Sequence, residues 1–306
     1  MYSDYSQSKK FEWNGLPNND KKENELKIKE KLEGFDENWS HDDPFVIQFN
    51  STFIEVTDTR YLSRGLGTLG YLLTILVILI LCLLINSGET DALTHFHHFI
   101  DFVGWSGLLL PILVQLLFMV SIYELLKESF NYTHLPIRLN RKNRKIYIWK
   151  RDGTVLTTEW DKAFFCISEY RWDTNVAFHI SCFLMEGKGK HRTATGIFRL
   201  GYASKDINEV RNCWEYLRRY MEDGPKQPHR MLKECLPIAK RYETWQEGYA
   251  RLPKDWFTVP ICFLASFARV FAMRTSKIPR WPDWVERECM ITKHDPYVRE
   301  SGYEEV

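Results

Sequence analysis

The sequence predicts an α+β membrane protein that combines a two-helix transmembrane hairpin, a cytoplasmic antiparallel β domain and a set of C-terminal helices. Three patterns lead to this prediction. Two long apolar runs lie between residues 66 and 123, runs of β-type residues separated by turn residues occupy 137–200, and an amphipathic helical pattern follows at 206–224. Strands that are followed by helices along the chain are typical of the α+β class.

Composition limits the classes of function. Of the 306 residues, 44% are hydrophobic, and 41 Lys and Arg residues stand against 40 Asp and Glu residues, which gives a net charge of +1. A balance this even provides no general attraction to nucleic acid, so any electrostatic function depends on local clusters of charge. We therefore predict no nucleic-acid partner.

The N-terminal 64 residues change character near residue 44. Residues 1–43 are rich in Ser, Asn, Lys and Glu, which predicts a flexible tail, although 21–33 has the mixed charge of a short helix. In residues 44–64, two β-type runs flank the polar pair Asn50 and Ser51. This pattern predicts a β-hairpin that leads to the membrane.

Residues 65–126 carry the apolar signal, with predicted spans at about 66–85 and 102–123 and an outer loop at 86–101. Each span holds about 20 residues without a charge, which at about 1.5 Å per residue covers about 30 Å of hydrocarbon. The alternative, two buried core helices, is less favoured because core helices seldom run this long without a polar face. Lys and Arg flank both spans and are absent from the loop, so both termini are predicted to be cytoplasmic.

Residues 135–225 predict a β-rich domain with a closing helix. The closing helix has a capping residue at Asp206 and ends at Gly224 and Pro225. Antiparallel strands closed by one helix give the element order of the pleckstrin-homology-like superfold, which the domain resembles. The predicted strands lie at about 137–139, 145–149, 154–160, 163–167, 176–185 and 193–200, with turns at 140–143 and Asp152–Gly153.

Residues 226–306 predict a C-terminal helical region. The apolar residues of 228–252 recur at helical spacing. The run 256–273 is compatible with a third span, with a helix packed on the domain or with a helix at the inner membrane surface. Spanning is the least favoured, because it would export Arg274, Lys277 and Arg280.

Three motifs contain residue types that bind ligands or react in other proteins. The glycines of 65–70 match GxGxxG, but an apolar span follows them in place of a βαβ unit, so we interpret them as sites of close helix contact or as the membrane entrance. His95, His97 and His98 lie in the short outer loop and are interpreted as solvated. The seven cysteines form no CxxC pair and are predicted to be reduced and mostly packed.

Catalytic signatures are missing from the sequence. It contains no GxSxG, P-loop or HExxH motif, and the cytoplasmic histidines stand singly. We predict that the chain is not an enzyme and binds no cofactor and no metal. An enzyme whose residues converge only in the fold is the third-ranked alternative.

A group of seven Lys and Arg residues lies between positions 138 and 151. Two interpretations compete without excluding each other: the group fixes the topology, or it binds anionic lipid headgroups. The aromatic residues at strand spacing nearby are interpreted as core or cross-strand pairs and not as a nucleic-acid platform. The predicted headgroup-binding residues are Arg138, Arg141, Lys142, Arg144 and Lys145.

The two apolar spans, the segment from Leu135 to Trp160 and the C-terminal helices resemble a family of bacterial inner-membrane proteins encoded beside type VI secretion effectors. The membrane-bound self-recognition partners of swarming Proteus-type bacteria are similar. The resemblance implies a multi-pass receiver in the bacterial inner membrane whose cytoplasmic face binds a cognate effector or identity protein delivered by a neighbouring cell. Such a protein neutralises its partner or marks it as self, and it needs no chemistry.

The hairpin of residues 147–163 is the predicted partner-binding surface, in which Trp149 and Trp160 are anchors and the charged residues provide discrimination. The alternative for these residues is that they only complete the domain and its solvent face. The alternative function is a membrane-anchored adaptor that binds anionic headgroups or a secretion apparatus. The predicted partner-binding residues are Tyr147, Trp149, Lys150, Arg151, Asp152, Glu159, Trp160 and Asp161.

Overall fold

The computed structural model describes residues 11–12, 25–36, 39, 45–59, 61–62, 64–86, 109–172, 175–186, 193–252 and 259–300. The chain divides into two compact units. The sheet unit comprises residues 1–62, 132–242 and 278–306, and the helical unit comprises 63–131 and 243–277. Each unit is therefore assembled from separate stretches of the chain.

Eleven strands and seven α-helices occur in the described residues. The strands are β1 (Phe11–Glu12), β2 (Glu25–Leu26), β3 (Val46–Phe49), β4 (Phe53–Val56), β5 (Ile137–Asn140), β6 (Lys145–Trp149), β7 (Val155–Glu159), β8 (Ala163–Trp172), β9 (Asn175–Glu186), β10 (Thr193–Ser204) and β11 (Arg299–Glu300). The helices are α1 (Leu66–Asn86), α2 (Leu109–Glu128), α3 (Ile207–Glu222), α4 (Lys226–Met231), α5 (Trp245–Ala250), α6 (Val259–Arg274) and α7 (Asp283–Glu288).

A six-stranded antiparallel sheet has the order β11-β3-β4-β5-β6-β7. The β3–β4 hairpin turns at Asn50, whose Oδ1 accepts hydrogen bonds from the amides of Thr52 and Phe53, both at 2.9 Å. The hairpin predicted from the sequence is confirmed. β4 pairs with β5, with Ile54 opposite Leu139, so the hairpin and the later meander share one sheet.

A five-stranded antiparallel sheet has the order β1-β10-β9-β8-β2. The three predicted strands here are confirmed with wider bounds, because β8 continues to Trp172 and β10 to Ser204. A 3₁₀ turn, Trp160–Lys162, joins β7 of the first sheet to β8 of the second. The described strands thus form two sheets, whereas the sequence predicted a single closed domain.

The predicted closing helix is confirmed as α3. The carboxylate of Asp206 accepts a hydrogen bond from the amide of Asn208 at 2.9 Å, which caps the first turn. The apolar face of α3 is buried in the main core, where Trp214 packs on Trp160 and Phe165. One amphipathic helix therefore closes the core of the sheet unit.

The N-terminal segment differs from the predicted flexible tail. β1 and β2 add to the two edges of the five-stranded sheet, so residues 25–26 are a strand and not part of a helix. Leu26 is buried, and the buried indole of Trp39 donates a hydrogen bond to Glu209 at 3.0 Å. Long-range pairing with β8 and β10, which local composition does not report, stabilises these short strands.

The predicted helix over 228–252 is wrong as a continuous element. Only α4 and α5 form, and the segment between them follows the sheet, where the amide of Leu236 donates to the carbonyl of Val46 at 2.7 Å. Pro237 lacks an amide hydrogen and disfavours helix in the residue before it, so the helical spacing of the apolar residues does not extend a helix here. α5 begins afresh with a capping box between Thr244 and Glu247.

The predicted transmembrane hairpin is contradicted. Among the described residues, no helix combines the length and the apolar character that crossing a bilayer requires. Within α2, Leu109–Glu128, the charged residues Glu124, Lys127 and Glu128 leave an uncharged stretch of about 15 residues or about 22 Å, shorter than about 30 Å of hydrocarbon.

The two-span hairpin of residues 65–126 is therefore wrong, and so is the multi-pass inner-membrane localisation with cytoplasmic termini that rested on it. The predicted outer loop and its three histidines lie outside the described residues. The run predicted at 256–273 forms α6, a 16-residue helix. A third span is not found, because α6 is too short.

The close-contact interpretation of the glycines at 65–70 is confirmed for Gly65 and Gly67 but not for Gly70, whose Cβ would meet nothing within 4 Å. Gly65 has φ +95°, and a Cβ atom placed on it would lie 2.5 Å from the Cβ of Arg269 in α6. A Cβ atom on Gly67 would lie 2.5 Å from Oε2 of Glu128 in α2. Glycine is thus required at Gly65, whereas at Gly67 the end of the flexible Glu128 side chain would have to move.

The cysteine prediction also agrees with the structure. The six described cysteines are free thiols; Cys235 is half-buried and the others are buried. Burial raises the pKa of Cys182 and Cys213, and it raises the pKa of Cys235 to about 12. These thiols are packed side chains and not activated nucleophiles.

Substitution of Gly65 tests the packing of the helical unit. Gly65→Ala places a methyl group against the Arg269 backbone and forces a positive φ on alanine, which we expect to cost about 1–3 kcal/mol. Gly70→Ala is the matched control, because its Cβ meets nothing within 4 Å. Thermal unfolding measures both variants, and equal midpoints would contradict the close contact.

Candidate recognition surface

The residues predicted to bind a partner lie on the β6–β7 hairpin and on the 3₁₀ turn that follows it. We define the β7 edge surface as the turn 150–154, strand β7 and the turn Trp160–Lys162. Tyr147 stands opposite Thr157, and Trp149 stands opposite Val155. Asp152 and Gly153 form the predicted hairpin turn, in which the amide of Lys150 donates to the carbonyl of Thr154 at 2.9 Å.

Tyr147 is fully buried and held by hydrogen bonds. Its hydroxyl donates to Oε2 of Glu288 at 2.6 Å and accepts from the side-chain Nδ2 of Asn143 at 2.7 Å. Burial, together with the hydrogen bond to Glu288, raises the pKa of the phenol. Its ring packs in a cluster with Phe53, Val285 and Cys289. Tyr147 therefore lies in the contact between the six-stranded sheet and the segment that contains α7.

The two tryptophans of the predicted surface are also interior residues. Trp149 lies edge-on to Trp281, with ring centroids 5.6 Å apart. Trp160 is fully buried, stacks on Trp214 at 5.7 Å and donates its indole hydrogen to Oε1 of Glu222 at 2.8 Å. The aromatic rings thus belong to the core, and only the charged members of the predicted set reach the solvent.

The charged residues of this surface are held in internal pairs. The backbone and hydroxyl of Thr154 hydrogen-bond to Asp152, which lowers the pKa of that carboxyl. The Arg144 guanidinium holds the pKa of Asp161 below its usual range through two hydrogen bonds of 2.6 Å. Arg144 also binds Glu222 at 2.6 Å, which ties the hairpin to the end of α3.

Arg138, which the sequence places among the headgroup-binding residues, is buried with 3% of its surface exposed. Its guanidinium pairs with Glu55 at 2.7 Å and lies 4.1 Å from the ring centre of Phe53 and 4.9 Å from that of Trp281. Burial raises the pKa of Glu55, and the Arg138 guanidinium opposes that shift. This cation is therefore enclosed by the protein.

The other four basic residues of that set also have partners within the sheet unit. Arg144 is paired as described above, and Lys145 binds Glu288 at 2.7 Å. Arg141 donates to the carbonyl of Ser51, and Lys142 donates to the hydroxyl of Thr292 at 2.9 Å. The dense positive charge seen in the sequence is thus distributed among local acceptors.

The residues that sequence reasoning missed come from the C-terminal segment. Trp281 donates its indole hydrogen to Glu55 at 3.0 Å, and Glu286 and Glu288 approach Arg138 and Tyr147. No short-range spacing could reveal these contacts, because they join positions more than 140 residues apart. In the described residues, no group of three or more His, Cys, Asp and Glu side chains is arranged to hold a metal ion.

Comparisons with known proteins give one match. Residues 114–293 match the sequence profile of a family of unknown function, DUF6708. The matched region is more than half of the 306 residues and contains β5 to β10 and α3 to α7. No curated protein and no solved structure matches the chain significantly.

Loss of Arg138 tests the enclosed ion pair. Arg138→Met leaves the Glu55 carboxylate buried without its cation, which we expect to cost about 3–5 kcal/mol of unfolding free energy. Lys142→Met is the matched control, because Lys142 is exposed and makes one side-chain hydrogen bond, so we expect a change of about 0.5 kcal/mol or less. Urea unfolding measures the free energy of unfolding of both variants. Similar losses of stability would contradict the conclusion that Arg138 is enclosed in a buried ion pair.

Acidification tests the Arg144–Asp161 pair. Because the folded pKa of Asp161 lies below its unfolded value of about 3.9, the stability it provides is present above that value and is lost as pH falls through the folded pKa. Asp161→Asn removes this contribution. We expect the wild type to lose more stability than the variant between about pH 5 and pH 2. If the urea midpoints of the wild type and the variant fell equally across that range, the stabilising role of the Arg144–Asp161 pair would be refuted.

Proposed function

We propose that this chain, which belongs to that family, is a recognition protein whose sheet unit binds a cognate protein along the β7 edge surface. The partner is an effector or identity protein delivered by a neighbouring bacterium, as the resemblance to type VI secretion-associated proteins implies. Binding distinguishes one partner from its near relatives and requires no catalytic step.

The observation that supports this proposal is the position of β7 at the end of the six-stranded sheet. Within the described residues, β7 pairs with β6 and with no other strand. An edge strand can accept an extended segment of another protein, whose backbone then continues the sheet. Backbone hydrogen bonds provide affinity in this mode, and neighbouring side chains provide specificity.

The register identifies the backbone groups that face outward. The amide of Trp160 donates to the carbonyl of Arg144 at 2.8 Å, and the amide of Lys150 donates to that of Thr154 at 2.9 Å. Because hydrogen-bonded pairs alternate along an antiparallel ladder, residues 156 and 158 also bond to β6. The N–H and C=O groups of residues 155, 157 and 159 consequently point away from the sheet.

The side chains around this edge carry both signs of charge. Asp152, Glu159 and Lys162 expose more than half of their side chains, at 57%, 53% and 66%. Asp161 is held by Arg144, and the buried Trp160 fixes the turn beneath it, so the pattern is preorganised. A partner with a mismatched charge would lose the hydration of that charge without forming an ion pair, so it would bind less tightly than the cognate partner.

The alternative function, an adaptor that binds anionic headgroups through Arg138 to Lys145, gains no comparable support. Four of those five side chains bind carboxylates or backbone carbonyls of the sheet unit or are enclosed, and Lys142 is the exposed member. Cations that already have carboxylate partners give little free charge for a lipid surface. We therefore favour protein recognition.

Proline substitution at position 157 tests the edge. Thr157→Pro removes an outward amide and no hydrogen bond to β6, so the fold should persist while partner binding weakens by about tenfold or more. Thr157→Val retains the amide and is the matched control. Affinity capture from the source bacterium, followed by titration of the purified captured protein, measures both variants.

The expected result is one captured protein whose affinity falls with Thr157→Pro and is retained with Thr157→Val. Equal thermal unfolding of the two variants shows that the fold is intact. Equal affinity of the two variants would refute binding at β7. Capture that also survives reversal of charge at Asp152 and Glu159 would refute the role of the charged pattern.

A further inference from the structure

The helical unit carries its charge inside and its apolar side chains outside. Glu243 and Arg269 form an ion pair in which both side chains are fully buried, and Arg251 reaches the same carboxylate at 3.2 Å. On the outer faces of α1, α2 and α6, large apolar side chains are exposed by about half. They are Leu73, Leu76, Val77, Leu79, Ile80, Ile112, Leu113, Leu116, Leu117, Met119, Val120, Ile261, Phe263, Leu264 and Phe267.

A protein surface that faces water usually exposes charged side chains and buries apolar ones, and the helical unit does the opposite. A contiguous exposed apolar patch marks a site of contact with a protein, a ligand or a membrane. No charged residue occurs in α1 between Leu66 and Ile80 or in α2 between Ile112 and Tyr123. The one charged residue of α6 before its last residue is Arg269, which points to the interior. The exposed faces therefore carry no charged side chain, although Gln115 of α2 is an exposed polar residue among the apolar ones.

Several charged residues among those described in the helical unit lie at one end of it. The amide of Gly65 donates to Glu128 at 2.6 Å, so the start of α1 meets the end of α2. The amide of Lys277 donates to the carbonyl of Asn131 at 2.7 Å, which places the segment after α6 at the same end. Lys127 lies 4.2 Å from the ring centre of Tyr123 at the border between the charged end and the apolar faces.

A half-exposed tryptophan marks the same border. Trp245 begins α5 two residues after Glu243, stacks on Tyr249 with ring centroids 5.5 Å apart, and donates its indole hydrogen to Ser266 at 2.9 Å. Tryptophan and tyrosine with one apolar and one polar side are favoured at the boundary between acyl chains and headgroups. The unit thus passes from a charged end through an aromatic border to apolar faces. A lipid layer changes in the same order, from headgroups through the interface to acyl chains.

We infer that the outer faces of α1, α2 and α6 form a lipid-binding surface, with the apolar side chains among acyl chains and the charged end at the headgroups. A second copy of the chain would cover one patch, whereas the exposed residues extend around nearly half the circumference of each of the three helices, which acyl chains can cover. The surface enters lipid from one side, and crossing of the bilayer is no part of the inference. It is independent of protein recognition at β7.

Vesicle flotation of the full chain tests this surface. We expect binding to vesicles of phosphatidylcholine alone that persists at about 1 M salt, because apolar contact is not screened. The double variant Leu113→Asp and Leu117→Asp should lower the partition coefficient by about tenfold or more. Met290→Asp is the matched control, because Met290 is an exposed apolar residue of the sheet unit, at 68% against 61% for Leu113.

A second measurement avoids dependence on the folding of the aspartate variants. An environment-sensitive fluorophore on Leu116→Cys should shift to the blue when vesicles are added, while the same label on Met290→Cys should not. Equal behaviour of the two labels would overturn the inference. So would an absence of flotation combined with a dimer in sedimentation analysis that the aspartate pair dissociates, because a second copy would then cover the surface.

Discussion

The pairing of β4 with β5 is the constraint on which the rest of the sheet unit depends. Four residue pairs, from Phe53 opposite Asn140 to Val56 opposite Ile137, join strands that are about 80 positions apart in the chain. Because the strands are neighbours in one sheet, the helical segment between them is an insertion whose two ends return to adjacent positions. The same two strands supply Glu55 and Arg138, so the ladder also positions the buried ion pair.

That ion pair in turn holds the C-terminal segment. Trp281 donates to Glu55 and covers the Arg138 guanidinium, and Glu288 collects hydrogen bonds from Tyr147, Asn143 and Lys145. A buried charge is costly unless it is paired and hydrogen-bonded, so the contacts of Trp281 with Glu55 and Arg138 compensate part of the desolvation of that pair. The segment 281–289 is thereby fixed over β4 to β6, and the aromatic rings of the hairpin are enclosed.

The sequence predicted what depends on local pattern. Alternation over 145–149, the Asp152–Gly153 turn and the Asp206 cap each act within a few residues, and each prediction is confirmed. The long apolar runs predict spans, and this prediction is wrong, because apolar composition alone does not distinguish a span from a helix whose last turns carry charge, such as α2. The burial of Trp149, Trp160 and Arg138 depends on contacts with residues that are distant in the chain. These partners are Trp281, Glu222 and Glu55 respectively. A single sequence carries no signal for such contacts.

An exposed edge such as β7 creates a conflict between recognition and self-association. A long, flat and apolar edge pairs with any extended chain, including a second copy. β7 has five residues and ends at Glu159, followed by Asp161 and Lys162, so an arriving strand must match fixed charges of both signs. Arg144 holds Asp161 and Glu222 together, which prevents the turn from adapting to a poor partner. In the proposed binding mode, rigidity at this turn restricts β7 to partners whose charges match.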